Sequence, residues 1–328
     1  MNSEVAERIH KALESHPLEK IDQGYRLNHA AGTSTLRLLP ARPLPEATAG
    51  ATAGAMDNPL LGIAQIDTEY RTGGFPAFHA AGLQRLNAMS VHGAYYLAGG
   101  RLRQSAQFSL YTKESAVHLA TQSILNAFGG QLPIGRSTAL GTASAAALEQ
   151  QRAHHGLPRA WQKPIAEEAL KATETMLRER GLAAAHGPDA VWAEFVLSGE
   201  CPSRSIDPNA ETALLQVHAG LPHPVAGVGY LATISLPLTK PPGDPAEICR
   251  RLNALELLQE DFIPRVGAWG LHGPNDLPGY SCFIPAAEPF GDFHTTMMWW
   301  CALRAAWIRD RYWAPASGLD TERIMAAA

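Results

Sequence analysis

Apolar positions alternate with polar ones in short runs along this chain, and stretches of helical spacing separate the runs. Val5, Ile9 and Leu13 recur at i, i+4 and i+8 behind Ser3, which predicts a short helix ending at His16-Pro17. Strand-like alternation follows from Ser34 to Leu39, with Leu36 and Leu38 set against Arg37, and again from Leu60 to Tyr70. Thr48 to Ala55, rich in Ala, Gly and Thr, lacks the bulk to pack and reads as an inter-strand loop. Pro76 opens a helix through Leu83, Leu86 and Met89. Strands from Ala94 to Leu97 and from Leu102 to Tyr111 flank Gly99-Gly100, and a helix carrying Val117, Ile124, Leu125 and Phe128 closes at Gly129-Gly130.

The second half has the same grammar. A helix from Pro164 to Arg180 leads into strands at Val191 to Leu197, Ala213 to Ala219 and Gly227 to Leu238. Asp244-Pro245 starts a helix with Pro at its first position, running through Ile248, Leu252, Leu255 and Leu258. Strands at Val266 to Leu271 and Gly279 to Ile284 flank the turn Gly273-Pro274-Asn275-Asp276, and a last helix runs from Pro289 to about Trp313. Letters repeat as well as elements. Arg85-Leu86-Asn87-Ala88-Met89 returns as Arg251-Leu252-Asn253-Ala254-Leu255, an offset of 166. Phe108 and His118 match Phe283 and His294 at offsets of 175 and 176, a drift that one loop insertion in the second copy would explain. The expected fold is α+β: two tandem modules of similar α-β-β-(β)-α-β-β-α order, with antiparallel sheets each covered by helices. The first module spans residues 1–135, a Gly/Ala/Ser/Thr-rich linker 136–160, and the second module 161–328.

Composition narrows the function classes. A net charge of −4 argues against nonspecific attraction to nucleic acid or anionic membrane. Only six of the 27 basic residues are Lys, a bias that reflects base composition better than an anion site. The first 20 residues lack the apolar core of a secretory signal, and the richest apolar segment, Phe290 to Ile308, is interrupted by Asp292, His294 and Arg304. A cytoplasmic protein is expected, with Cys201, Cys249, Cys282 and Cys301 as buried thiols.

The middle helices Leu83-Gln84-Arg85-Leu86-Asn87 and Arg250-Arg251-Leu252-Asn253, with the hairpins that follow them, give an element order that resembles the type III secretion chaperone-like fold and its YbjN-like relatives. The resemblance spans residues 1–130 and again 160–313, and rests on order alone. It implies a tandem protein built like a fused dimer that binds a protein client without catalysis. The chain departs from that pattern in being about twice the usual length and closer to neutral.

Candidate chemistry is sparse. No H-E-x-x-H, Walker A, G-x-S-x-G or paired C-x-x-C occurs, and no cofactor or metal is expected. Asp207, Asn209 and Glu211 offer alternating oxygens, but Pro208 suits an ordinary turn; His154-His155 points two rings apart and suits solvent. His118 and His294 sit early in the last helix of each copy. A pseudo-two-fold could bring them together as acid and base, with Glu114 or Asp292 fixing tautomers; packing at a module interface is the competing reading. In the last helix Met297, Met298, Trp299, Trp300, Trp307 and Tyr312 cover nearly every direction. That helix is either buried between modules or, through Trp299, Trp300, Met297 and Trp307, an apolar recognition surface. The expectation is a non-enzymatic, chaperone- or adaptor-like binder of a protein or peptide, using an exposed sheet edge or this helix. The alternative is an enzyme whose small-molecule site lies in the inter-module cleft, with His118, His294 and Asp292; a third reading makes the aromatic helix a homodimer contact. Because the second copy holds the cysteines and six of the seven tryptophans, the other being Trp161 at the linker boundary, specialisation is expected there.

Overall fold

The structure is a computed structural model that describes residues 7, 9–11, 13–14, 18–40, 60–71, 79–111, 124, 127–128, 167–198, 211–223, 226–258, 265–285, 293–315 and 317–327. The first module contains β1 (Glu19–Ile21), β2 (Gly24–His29), β3 (Gly32–Pro40), β4 (Leu60–Tyr70), α1 (Ala80–Ala88), β5 (Ala94–Ala98) and β6 (Arg101–Tyr111). The second contains α2 (Glu167–Glu179), β7 (Ala183–His186), β8 (Ala190–Val196), β9 (Thr212–His223), β10 (Gly227–Ser235), α3 (Pro245–Leu258), β11 (Ala268–His272), β12 (Leu277–Pro285) and α4 (Phe293–Tyr312). A two-stranded ribbon, β13 (Trp313–Ala314) with β14 (Gly318–Leu319), and α5 (Thr321–Ala326) follow.

The fold is α+β, with two six-stranded antiparallel sheets in the orders β1-β2-β3-β4-β6-β5 and β7-β8-β9-β10-β12-β11. Strand by strand these are the same sheet, and each middle helix intervenes between its fourth and fifth strands. Four strands precede that helix in each module, more than hydrophobic alternation predicted. β1 (Glu-Lys-Ile) is too short to alternate, β2 buries its first two residues in succession, and β7 (Ala-Ala-Ala-His) lacks the bulk that marks a strand. The linker at 136–160 and the loop at 48–55 lie outside the described residues.

Strand pairing corrects the alignment of the copies. Asn87 and Asn253 are 166 apart, whereas Tyr95 and Trp269 are 174 apart and Ser105 and Ser281, on the matched partner strands, 176 apart. Two insertions are therefore needed: eight residues between the middle helix and its following strand, and two in the hairpin turn, where Gly273–Asp276 replaces Gly99-Gly100. Phe108 consequently matches Ile284, and Phe283 matches Gln107 on the opposite face.

Inward residues of the first sheet (Tyr25, Leu36, Leu38, Ala64, Ile66, Ala106 and Phe108) pack with Ile9, Leu13, Ile124 and Phe128. The second sheet buries Val191, Leu215, Val217, Tyr230 and Ile234 against Leu177 of α2 and against Met297, Met298, Cys301 and Ile308 of α4. Fully burying one such side chain contributes about 1.5–3 kcal/mol, and contacts run continuously through both modules. α3 starts as its sequence predicts. The Asp244 carboxylate accepts from the N–H groups of Ala246 (3.1 Å) and Glu247 (3.2 Å), and Pro245 occupies the first helical position. No helix among the described residues is long and apolar enough to cross a membrane.

Candidate functional site

The doubled Arg-Leu-Asn-Ala now has a physical role. In each module the Asn side chain clasps the backbone of one residue on the outermost strand. Tyr95 N–H donates to Asn87 Oδ1 (2.7 Å), and Asn87 Nδ2 donates to Tyr95 O (3.1 Å). Trp269 N–H donates to Asn253 Oδ1, and Asn253 Nδ2 to Trp269 O, both at 2.8 Å. A primary amide presents one donor and one acceptor as a neighbouring peptide would, so the asparagine occupies the ladder positions of an absent strand. Edge strands invite addition by other chains. Here β5 and β11 are plugged at Tyr95 and Trp269. The outer edge of β7 is also engaged, since Arg178 Nε donates to Ala184 O at 2.8 Å.

Between the modules lies an isologous seam. Gln107 and Arg265 exchange backbone hydrogen bonds (2.9 and 2.8 Å), and Val91 bridges Phe283. Because Gln107 matches Phe283 and Val91 matches Arg265, corresponding residues meet on both sides of the seam, as a pseudo-dyad would place them, although Gln107 and Arg265 pair antiparallel and Val91 and Phe283 parallel. The dyad is imperfect. A Cβ on Gly270 would sit 2.7 Å from Gln84 O and 2.8 Å from Ala88 Cα, so β11 touches the α1 backbone there. Tyr96 holds the equivalent position in β5, and among the described residues α3 makes no comparable contact with that strand. α1 accordingly covers part of the second sheet's outer face. Ser281 Oγ donates to Ala88 O (2.9 Å), His223 Nε2 to Met89 O (3.1 Å), and Arg85 grips Asp276 with two bonds (3.0 and 2.6 Å).

Among the described residues, most of those singled out from the sequence serve the interior. Met297 is fully buried and Trp307 is 6% exposed; Trp299 and Trp300 are partly buried against the same core, with Arg180 lying 5.5 Å from the Trp299 ring centroid. His294 is buried, and its Nε2 lies 2.9 Å from Ala169 O on α2. His118 and Asp292 lie outside the described residues, as do Glu114, His154-His155, Asp207 and Cys201. Glu211 accepts from Trp313 Nε1 at 2.8 Å. Cys249, Cys282 and Cys301 are free, buried thiols. Burial pushes all three thiol pKa values up, that of Cys301 to about 12, which leaves them without thiolate character.

The second module does hold one buried charged cluster. Arg304 bonds Glu256 through Nε (2.5 Å) and Nη2 (3.1 Å), Trp269 Nε1 donates to Glu256 Oε1 (2.7 Å), and the guanidinium stacks 3.8 Å from the Tyr280 ring centroid. Burial opposes the Arg304 charge, but the Glu256 carboxylate overrides it and raises the pKa. The cluster ties α3, α4, β11 and β12 together inside the core. Among the described residues no group of three or more His, Cys, Asp or Glu is placed to hold a metal ion.

The solvent-facing chemistry lies on the outer face of the first sheet. Strand alternation puts Arg37, Gln65, Asp67, Glu69, Arg101, Arg103 and Tyr96 on that side of β3, β4, β6 and β5, opposite the core residues. Asp67 accepts from Gln65 Nε2 and Ser105 Oγ, both at 2.7 Å, and from Arg37 Nη1 at 3.2 Å. Glu69 accepts from Arg103 Nη2 (2.7 Å), directly opposite in the ladder, and from Arg101. The Arg101 hydrogen bond outweighs burial and holds the Glu69 carboxyl below the ordinary range; burial, then the Asp67 charge, pushes the Tyr96 phenol up. Both carboxylates are thus engaged by donors, while each arginine spends only part of its five-donor fork. Arg37 and Arg101 remain 49% and 60% exposed, so spare N–H donors face outward.

The register places Thr233 where the first sheet has Asp67, Ser235 for Glu69, Leu231 for Gln65, Gly279 for Arg103 and Gly270 for Tyr96. At these matched positions charge is carried by the first module alone. Period-2 alternation could have found it, because Gln65, Asp67, Glu69, Arg101 and Arg103 fall at every second position; the tryptophan count drew attention elsewhere. No family model, no curated protein and no solved structure matches the chain.

Proposed function

We propose that the chain is a non-catalytic binding protein whose client, a protein or peptide segment, lies across the outer face of the first sheet. The observation that carries this reading is the donor-rich network of Arg37, Arg101 and Arg103 around saturated Asp67 and Glu69, present in one module and erased in the other. A surface with engaged acceptors and unspent guanidinium donors suits an acceptor-rich partner: backbone carbonyls, or Asp and Glu side chains. Clasped asparagines at β5 and β11 disfavour strand addition there, and burial of Met297 and Trp307 disfavours the aromatic helix as an anchor. The tight seam at Gly270 likewise speaks against a substrate cleft along that contact.

The test is capture of binding partners by wild-type protein and by an Arg101→Glu/Arg103→Glu variant of matched melting temperature. Loss of the captured protein in the variant supports the reading. Equal capture, or purification with a small molecule that the protein turns over, overturns it.

A further inference from the structure

We propose that the joint between the modules is pH-responsive: His223 and His272 of the second module hold the first module's α1 in place only while both imidazoles are neutral. His223 ends β9 and reaches across the seam. Its Nδ1 accepts from Ala226 N–H (3.1 Å), which fixes the proton on Nε2, and Nε2 then donates to Met89 O (3.1 Å). Met89 caps α1, whose last carbonyls lack helical partners; module two supplies donors to two of them, through His223 and Ser281. The imidazole also packs on Phe283, with centroids 4.8 Å apart, beside the Val91 bridge. A proton added at Nδ1 removes the acceptor for Ala226 and detaches the ring from its loop.

His272 lies two residues beyond Gly270 on the face of β11 that α1 covers. Its ring bonds the Gly279 backbone, while Nε2 is buried and has no hydrogen-bond partner. Protonation would create a buried cationic N–H with no acceptor, a costly group on the face of β11 that α1 covers.

Among the described residues, the packed elements bring no carboxylate to either ring. α1 carries one charged residue, Arg85, and β10, β11 and β12 carry no carboxylate. Asp276, in the 273–276 turn that follows β11, is held by Arg85. β9 contributes only His218 and His223 as titratable groups. Burial depresses both imidazole pKa values, opposed by the hydrogen bonds to Met89 and Gly279. The unfolded chain therefore takes up these protons first as pH falls. Stability tied to the neutral rings is complete above the ordinary histidine range and is lost as pH drops through the folded-state values.

The experiment follows amide hydrogen exchange of α1, corrected for intrinsic rates, from about pH 7.5 to about pH 5, in the full chain. Wild type is compared with His223→Gln/His272→Asn, which keeps the donors to Met89 and Gly279 without a titrating ring. Wild-type α1 is expected to lose protection progressively while the variant's profile stays flat. Constant wild-type protection, or an undiminished acid loss in the variant, overturns the proposal. Should the variant fail to fold, the imidazole resonances of wild type decide: titration of either ring at its ordinary value with no shift of the α1 amides overturns it, and depressed titration with concerted α1 shifts supports it.

Discussion

Replacing Asn253 by Ala removes the plug from β11 and leaves Trp269 N–H and C=O buried without partners. Each orphaned backbone group costs about 1–3 kcal/mol, so the substitution is expected to cost about 2–6 kcal/mol, and Asn87→Ala, which orphans Tyr95, should fall in the same range. The two sites are not independent. Gln84 Oε1, 2% exposed, accepts from Asn87 Nδ2 at 2.9 Å and lies 3.5 Å from Asn253 Nδ2 across the pseudo-dyad. Either single variant leaves Gln84 one donor; the double variant strips both. The double should therefore cost more than the sum of the singles, with a coupling of about 0.5 kcal/mol or more. Urea unfolding of the four proteins measures this, provided the m-values agree. Additivity within about 0.3 kcal/mol would remove the Gln84 bridge from the account. A single-variant cost below about 0.5 kcal/mol would refute the clasp itself, because orphaned buried groups cannot be that cheap.

Gly270→Val drives a side chain into the α1 backbone and should destabilise by about 1–3 kcal/mol or more, while raising exchange in α1 ahead of the rest of the chain. Glu256→Ala abandons Arg304 in the core at a cost of about 3–5 kcal/mol; a Glu256→Leu/Arg304→Met pair should recover much of that in thermal melts, and failure to recover would give the ion pair more weight than core packing. Arg85→Ala removes an exposed pair, so the loss in a thermal melt should be small and should vanish at high salt. Glu69, Glu174 and Glu247 have carboxyl pKa values lowered by hydrogen bonds from Arg101, His186 and Arg250, so their contribution is complete above the ordinary carboxylate range and lost as pH falls through the folded-state values; a Glu69→Gln variant should show a shallower acid limb in a pH–stability curve. Cys249, Cys282 and Cys301 should resist thiol reagents until the chain unfolds, and labelling of Cys301 in native protein would contradict its burial.

Much of the fold was legible because bulky apolar residues keep time along it. Leu60 to Tyr70 is a strand over those same residues, and Asp244-Pro245 begins a helix for the reasons its chemistry suggests. What failed to show was short, small or interrupted, as in β1 and β7. The repeat was visible as letters, but its meaning was not. A helix-to-edge clasp joins residues eight apart in one copy and sixteen apart in the other, and no periodicity reports that. Residue counts did not report roles either. Six tryptophans in the second half suggested specialisation there, and two of them serve the core: Trp269 is fully buried, Trp313 is 5% exposed, and both spend their indole N–H on glutamates. An aromatic with a polar tip fits a core that offers an acceptor, and here Glu256 and Glu211 supply it.

Duplication alone would make both outer faces alike, either both covered or both open. One residue pair decides otherwise. Gly270 admits the α1 backbone, and the helix then spreads over β11 and β12, satisfying its terminal carbonyls with Ser281 and His223. Tyr96 at the matching place offers α3 no such bed. The longer turn that carries Asp276 to Arg85 adapts the second copy to being covered. Freed from that role, the first sheet's outer face can hold charge: Asp67 and Glu69 stand where the second sheet has Thr233 and Ser235, and the arginines stand where it has Gly279 and Leu277. The Gly270/Tyr96 difference at one position of a hairpin strand thus marks which outer face is covered and which carries charge. Tyr96→Gly paired with Gly270→Tyr would test whether that assignment can be exchanged.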